Sequence, residues 1–316
     1  MPEPLVSVVV STYNRPQRLA QLFDGLGAQA LARDHFEVVI VDNGSGPATA
    51  RAIEAERARD RLQLVTARNP VTLGPAGGRN AGWRLARAAL VAFTDDDCVP
   101  TPGWLASLVA VAAEHPGALI QGPTRPDPSE LGQLGLLSHT VQIETMGPQF
   151  ETCNIAYPRP VLESLHGFDE RFGVEPAGED TDLAWRAIEA GCPTVFAAEA
   201  VVHHAVARVG VRGMVRIAAR WSAVTRVFAD HPQTRSLLYR GIFWNAWHYL
   251  LWRSLVALAA PAWLRRLLLA RYLHELSRRA REQGAGTLAV GFFVVHDAVE
   301  CWSVARGAVR HHTLVL

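Results

Sequence analysis

The sequence predicts an open α/β fold with a mainly parallel sheet, on three observations. Short β-branched runs alternate with helical stretches through the first two-thirds of the chain. The runs are too short to be buried helices. Polar clusters fall directly after them, at the edge where open α/β sheets bind ligands.

The elements follow in order. Residues 5–10 (LVSVVV) read as a buried strand and end in the polar turn Thr12-Tyr13-Asn14-Arg15. A helix is predicted over about 16–30, with Leu19, Leu22, Phe23 and Leu26 on one face. Residues 36–41 form a second strand, closed by Asp42-Asn43-Gly44-Ser45-Gly46. Residues 47–59 are helical, and 62–65 make a third strand. A glycine-rich turn over 74–82 runs into a helix through about Ala89. The fourth strand, 91–94, ends at Asp95-Asp96-Asp97. A helix over 103–115 and a strand over 118–122 come next, then an irregular, Pro- and Gly-rich stretch over 123–150. Residues 152–157 read as strand, 159–165 as helix and 179–191 as helix, with strands at 194–196 and 200–204.

Composition narrows the function. The chain has 316 residues, 49% of them hydrophobic, enough for one large domain or a domain with an appendage. A net charge of +1 gives no reason to expect nucleic-acid binding. All 31 basic side chains are arginine, which excludes lysine Schiff bases and P-loops. Cys98, Cys153, Cys192 and Cys301 are scattered without CxxC pairs and read as reduced thiols. With no basic-then-apolar leader, they point to the cytoplasm.

Three adjacent carboxylates at 95–97 repel one another, and a divalent cation relieves that repulsion through hard oxygen ligands. A plain solvated acidic turn accounts for them as well at this level. Three polar clusters, at 12–15, 42–43 and 95–97, all follow strands and are expected to face one crevice.

Residues 5–204 resemble family 2 glycosyltransferases of the GT-A fold. The resemblance rests on Val8-Val9-Val10-Ser11-Thr12-Tyr13-Asn14-Arg15, Val39-Ile40-Val41-Asp42-Asn43-Gly44-Ser45, Gly77-Gly78-Arg79-Asn80-Ala81-Gly82 and Phe93-Thr94-Asp95-Asp96-Asp97. It continues through Gly167-Phe168-Asp169-Glu170, Gly178-Glu179-Asp180-Thr181-Asp182-Leu183 and His204. Each piece is common alone; their number, order and spacing are specific. The last third, to the ending 306–316, also resembles actinobacterial members. The fold so implied is α/β, a GT-A mixed sheet flanked by helices, over 1–205, with a helical region over 206–316.

The resemblance implies an inverting transfer from a nucleoside diphosphate sugar, UDP or dTDP, to a hydroxyl acceptor. It implies a divalent cation, Mn or Mg. Asp95-Asp96-Asp97 corresponds to the DxD element, with Asp97 as metal ligand, Asp95 on the ribose or the ion, Asp96 near the ribose, and His204 returning to the metal with His203 as rival. Asp42 would accept from the ring N–H of the base, beside Asn43. Thr12, Tyr13, Asn14 and Arg15 would line base and ribose. Gly74, Gly77 and Gly78 would let the donor approach the backbone, Arg79 would hold a phosphate, and Asn80 the ribose or Asp97. Asp180 would be the general base, oriented by Glu179. Asn154, Trp185 and Arg186 would stand on the acceptor side, with Arg186 alternatively reaching the leaving diphosphate. Each acid has a structural alternative: an Asx turn at Asp42, a favoured first-turn charge at Glu179 and Asp180.

The acceptor expected is a cell-envelope or lipid-linked glycan, or a small molecule. An apolar, Trp-rich stretch over 236–264 is followed by Arg265, Arg266, Arg271, Arg278, Arg279 and Arg281. It suits a segment lying on the anionic inner face of a membrane, a helical subdomain packed on the core, or a homodimer interface. Asn245, His248 and Arg253 argue against a membrane span. A dinucleotide-dependent oxidoreductase is disfavoured by the missing GxGxxG after the first strand. Intact DxD and Glu179-Asp180 elements argue against a non-catalytic binding module.

Overall fold

The computed structural model describes residues 3–175 and 177–316. The chain divides into two compact units, 1–131 with 140–206, and 132–139 with 207–316. The expected divide at 205/206 falls one residue from this one, and the 132–139 strip joins the second unit.

The first unit begins with β1 (Val6–Thr12), α1 (Pro16–Gly27), β2 (Phe36–Asn43), α2 (Pro47–Arg59), β3 (Leu64–Asn69), α3 (Gly74–Trp83), β4 (Leu90–Thr94), β5 (Cys98–Pro100) and α4 (Trp104–Glu114). It continues with β6 (Leu119–Gln121) and β7 (Thr124–Pro126); β8 (Ser138–His139) belongs to the second unit. Then come β9 (Asn154–Pro158), α5 (Arg159–Ser164), α6 (Glu179–Glu189), β10 (Thr194–Phe196) and β11 (Val202–His204).

The main sheet has the order β10-β6-β9-β4-β1-β2-β3. β1 runs parallel to β2 and β4, β2 to β3, and β6 to β10, whereas β9 is antiparallel to both β4 and β6. The sheet is therefore mixed. Alternation along β1 explains its two cores. Val8 and Val10 pack with Leu19, Leu22, Phe23 and Trp104 on one face. Val9 packs with Trp83, Phe93, Phe168 and Leu183 on the other. With both faces covered, β1 and β2 read as unbroken apolar runs.

Two elements differ from expectation. The third strand lies at 64–69, shifted toward the polar Thr66–Asn69 end, because it pairs as an edge strand along β2 up to Asn43↔Asn69. The glycine-rich stretch is itself the helix α3, which ends at Trp83. Pro75 starts it at a position where a missing N–H costs nothing. Its glycines let the helix lie on the sheet. A Cβ on Gly78 would come within 2.0 Å of Ser11 Oγ, and one on Gly82 within 2.5 Å of Val9 Cγ1. The irregular 123–150 stretch carries β7 and an isolated bridge between Thr124 and Ile143.

A second sheet, β5-β11-β7, forms beside the first. Its register sets His204 opposite Cys98 in an antiparallel pair. The turn at 95–97 connects the two sheets, leaving β4 and entering β5.

The second unit pairs β8 with β12 (Ala207–Arg208). It then runs through α7 (Gly210–Ala219), α8 (Thr225–Asp230), α9 (Ala246–Val256), α10 (Ala262–Glu282) and α11 (Leu288–Arg310). Its core joins Leu250, Tyr272, Leu276 and Phe293 from the last three helices. No described helix is long and apolar enough to cross a membrane.

Candidate active site

The three aspartates of the 95–97 turn have different surroundings. Asp96 is 4% exposed and turned inward. It accepts from Thr12 Oγ1 at 2.7 Å and from Arg15 at 3.0 Å. Burial, with the Asp97 charge adding to it, pushes Asp96 up to about 6 against the pull of Arg15. Both its oxygens are taken by the protein, so it ties the turn to β1. Asp95 is also desolvated, but the Arg79 guanidinium at 2.9 Å holds it below the usual carboxylate range.

Asp97 meets Arg15 and His204. One oxygen accepts from Arg15 at 2.7 Å, and the other lies 3.7 Å from His204 Nε2. His204 Nδ1 sits 2.8 Å from the Ala205 carbonyl. A proton on Nδ1 would donate to that carbonyl and leave the Nε2 lone pair facing Asp97. Metal-ligating histidines are commonly held in this way. Asp97, Cys98 and His204 together present one ligand atom each within 4.8 Å of one another. The carboxylate suits Mn or Mg, and the imidazole favours the softer Mn of the two. The buried Cys98 thiol is pushed well up in pKa and stays neutral, which makes it the weakest of the three. Asp95 is not in this group, and the neighbouring His203 faces Val99 and Arg125 across the second sheet.

One arginine connects the turn to α6. Arg79, 8% exposed, donates to Asp95 Oδ1 and Glu179 Oε1, both at 2.9 Å. Its guanidinium also lies over the Phe168 ring. The other Glu179 oxygen accepts from the Ala177 N–H at 3.0 Å. Glu179 is thus fixed on both sides. Asp180 follows it at the helix start, where Gly178 takes a left-handed φ of 91°. Its Oδ1 accepts from the Thr181 N–H, while Oδ2 has no partner among the described residues. Burial first, and then the Glu179 charge, push Asp180 up to about 8. A carboxylate with a free oxygen and a raised pKa is suited to proton abstraction near neutral pH.

The Asp42 loop presents a free acceptor. Asp42 is 3% exposed, and its Oδ1 accepts from the Ser45 N–H at 2.8 Å. Its Oδ2 accepts no hydrogen bond, with Arg68 at 3.5 Å. A buried carboxylate oxygen left so is costly unless a ligand donor meets it. Asn14, at a left-handed φ of 57°, accepts from the Gly46 N–H and joins the two loops. Tyr13 is half exposed above them.

Several expected contact residues are spent on the protein. Asn43 donates to the Gly74 carbonyl and accepts from Asn69 and the Leu73 N–H. Asn80 grips Phe168 through both its N–H and its C=O, and adds bonds to Glu170 and Trp83. It therefore does not bridge to Asp97. Asn154 is fully buried, donating to the Pro123 and Ala200 carbonyls and accepting from Trp104; it does not face an acceptor. Arg186 binds Asp182 and the Leu165 and Gly167 carbonyls. Trp185 donates to the Pro148 carbonyl and packs edge-on against Phe150. A side chain on Gly74 or Gly78 would meet protein atoms, Gly173 O at 2.3 Å and Ser11 Oγ at 2.0 Å. At both positions the protein itself fills the space of the missing Cβ. Sequence reasoning passed over Cys98, Arg68 and Thr140, whose hydroxyl lies 3.4 Å from His204 Nδ1. The strand pairing that puts Cys98 opposite His204 has no local sequence signal.

Comparison with known proteins agrees with this architecture. Residues 7–162 match the model of glycosyl transferase family 2. The validoxylamine A glucosyltransferase of Streptomyces hygroscopicus is 28% identical over 230 residues, covering 62% of this chain and 54% of that protein. The pre-mycofactocin glycosyltransferase of Mycobacterium tuberculosis is 28% identical over 212 residues, 63% of this chain and 42% of that one. The chain thus spans about half the length of these relatives. Among solved structures, the mannosyltransferase PcManGT of Pyrobaculum calidifontis, in complex with GDP-Man and Mn2+, superposes with a TM-score of 0.61 at 20% identity. That match covers 99% of this chain and 88% of the other. TarS 1-349 of S. aureus with UDP-GlcNAc gives 0.56 at 16%, covering 98% and 92%. Both likenesses show a shared GT-A fold.

Proposed function

The chain belongs to glycosyl transferase family 2, and from that premise we propose that it moves a sugar from a nucleoside diphosphate donor to a hydroxyl acceptor with inversion. The observation that carries this reading is the Asp95–Arg79–Glu179 chain of charges, which runs from the turn holding the Asp97–His204 pair to a base of raised pKa.

In this reading Asp180 takes the acceptor proton on Oδ2 as the hydroxyl oxygen attacks the anomeric carbon. Glu179, locked by Arg79, keeps Asp180 raised by its charge. Asp97 and His204 hold a divalent cation, which as a Lewis acid would neutralise the charge growing on the leaving diphosphate. Arg15, half exposed and paired with Asp96 and Asp97, would swing to a phosphate oxygen when a cation takes its place on Asp97. Asp42 Oδ2 accepts from the ring N–H of uracil or thymine, so UDP or dTDP is the nucleotide proposed. Tyr13 covers the base.

The acceptor we propose is a cell-envelope or lipid-linked glycan. Similarity to the O-antigen biosynthesis protein RfbC of Myxococcus xanthus, at 28% identity, supports it. The relatives named for validoxylamine A and pre-mycofactocin support a second reading, a single small compound as acceptor. Exposed Leu255, Val256, Leu258, Trp263 and Leu267, close in sequence to Arg265 and Arg266, support peripheral contact with the inner face of the membrane.

The test is release of nucleoside diphosphate from a panel of UDP-, dTDP- and GDP-sugars with Mn2+. Turnover of a UDP- or dTDP-sugar that Asp180→Asn abolishes is expected. No turnover of any donor, or an unaffected variant, sinks the reading.

A further inference from the structure

Within the second unit, α9 and α10 border a half-open cavity of about 350 Å³ that the transfer reaction leaves unassigned. It is lined by residues at helical spacing: 246, 250 and 253 on α9, and 271, 275 and 278 on α10. Tyr239 and Arg240 add a third side.

The charge in this cavity is unbalanced. Arg278 is paired with Glu275 at 2.9 Å and Glu282 at 2.6 Å. Arg240, Arg253 and Arg271 make no ion pair among the described residues. Arg253 has the least solvent to compensate it, for its Nε and one terminal nitrogen are buried without a hydrogen-bond partner. Unmet buried guanidinium donors are costly, and a turn of the Arg253 head into the cavity toward an acceptor there would relieve that cost.

Aromatic rings orient these donors. Arg240 lies 4.5 Å from the Tyr249 ring centroid and Arg253 5.7 Å from the same ring. A guanidinium stacked on a ring keeps its N–H edge free, and that edge matches a phosphate bidentately. Arg240 takes a left-handed φ of 56° before Gly241, also left-handed at 75°. Backbone of this kind is retained where the surroundings demand it. Three guanidiniums suit a phosphate dianion or a diphosphate, and Trp247 lines the same cavity as an aromatic wall for the group it carries.

We propose that this cavity binds a phosphate or diphosphate ester, its phosphoryl oxygens on Arg240, Arg253 and Arg271 and its organic part against the aromatic wall. A soluble phosphoester and a phospholipid headgroup share this chemistry.

Isothermal titration calorimetry of the full chain tests it, with phenyl phosphate and inorganic pyrophosphate as soluble probes. Vesicles of phosphatidylglycerol against phosphatidylcholine form the lipid arm. Binding of a phosphate probe, weakened on the order of 10-fold or more by Arg271→Gln and by Arg253→Gln, is the expected result. Arg271 and Arg240 are exposed, so Arg271→Gln and Arg240→Gln keep the test open should Arg253→Gln misfold. UDP binding with Mn2+ stays unchanged in all three variants. If only phosphatidylglycerol vesicles bind, and Arg271→Gln weakens them, the source is a headgroup; if soluble probes saturate and vesicles do not compete, it is a soluble ester. Absence of binding in both arms, or binding that all three substitutions leave intact, overturns the proposal.

Discussion

The 95–97 turn and the start of α6 both set neighbouring carboxylates at the candidate site, and the protein treats the two regions oppositely. In the turn, Asp95, Asp96 and Asp97 each meet a guanidinium, from Arg79 or Arg15. At α6 the one nearby guanidinium is spent on Glu179, and Asp180 keeps a free oxygen and a raised pKa. Adjacent acids in a sequence therefore do not share a chemistry. Guanidiniums pair with every carboxylate of the turn, whereas Asp180, which none of them bonds, keeps a raised pKa and a free oxygen suited to a base.

Removing the base should have the largest effect. Asp180→Asn is expected to lower kcat by about 10²–10⁴-fold, measured as nucleoside diphosphate release, while nucleotide affinity holds. An equal loss of UDP affinity would mean that the two regions are not chemically distinct.

Arg79 belongs to both regions, so Arg79→Met disturbs both together. It leaves the buried Glu179 and the partly exposed Asp95 without their counter-ion. Urea unfolding should show a loss of about 3–5 kcal/mol. A loss below about 1 kcal/mol would show that water replaces the guanidinium.

The pH profile separates the regions without mutation. The base must be ionised, so kcat rises with pH through about 8, where Asp180 titrates, and levels above it. Glu179→Gln removes a neighbouring negative charge, and the midpoint should move to lower pH. A midpoint that stays put would remove Glu179 from the causes of the shift. The same shift has a stability consequence. The folded pKa lies above the unfolded one, so stability present at low pH is lost as pH rises through about 8.

The smallest effect is expected at the rim. Tyr13→Ala should raise the donor KM by a few-fold, the equivalent of about 1 kcal/mol for one stacked base, with kcat held. An unchanged KM would take Tyr13 out of the donor site.

The parallel half of the sheet was legible because β1 and β2 are buried on both faces and carry unbroken β-branched runs. The antiparallel β9 was visible only as a strand, since its direction depends on partners about 60 residues earlier. The acids were easy to find. The amides were misleading: Asn80 and Asn154 look like ligand contacts, but their bonds go to backbone carbonyls 88, 31 and 46 residues away. No local pattern separates a spent amide from a free one. The glycines of α3 misled for a related reason, because the missing Cβ space is filled by protein atoms distant in sequence, Ser11 beside Gly78 and Gly173 beside Gly74. The cavity between α9 and α10 was legible only as a run of arginines near tryptophans.

The most direct test of the contrast between the two regions is UDP binding by calorimetry, with Mn2+ and with a chelator, in the wild type, Asp97→Asn, His204→Ala and Asp180→Asn. Binding that needs Mn2+, falls at least about 10-fold in the first two variants and persists in the third is the expected result. Equal affinity with the chelator, or an intact Asp97→Asn, would contradict a metal held by the turn.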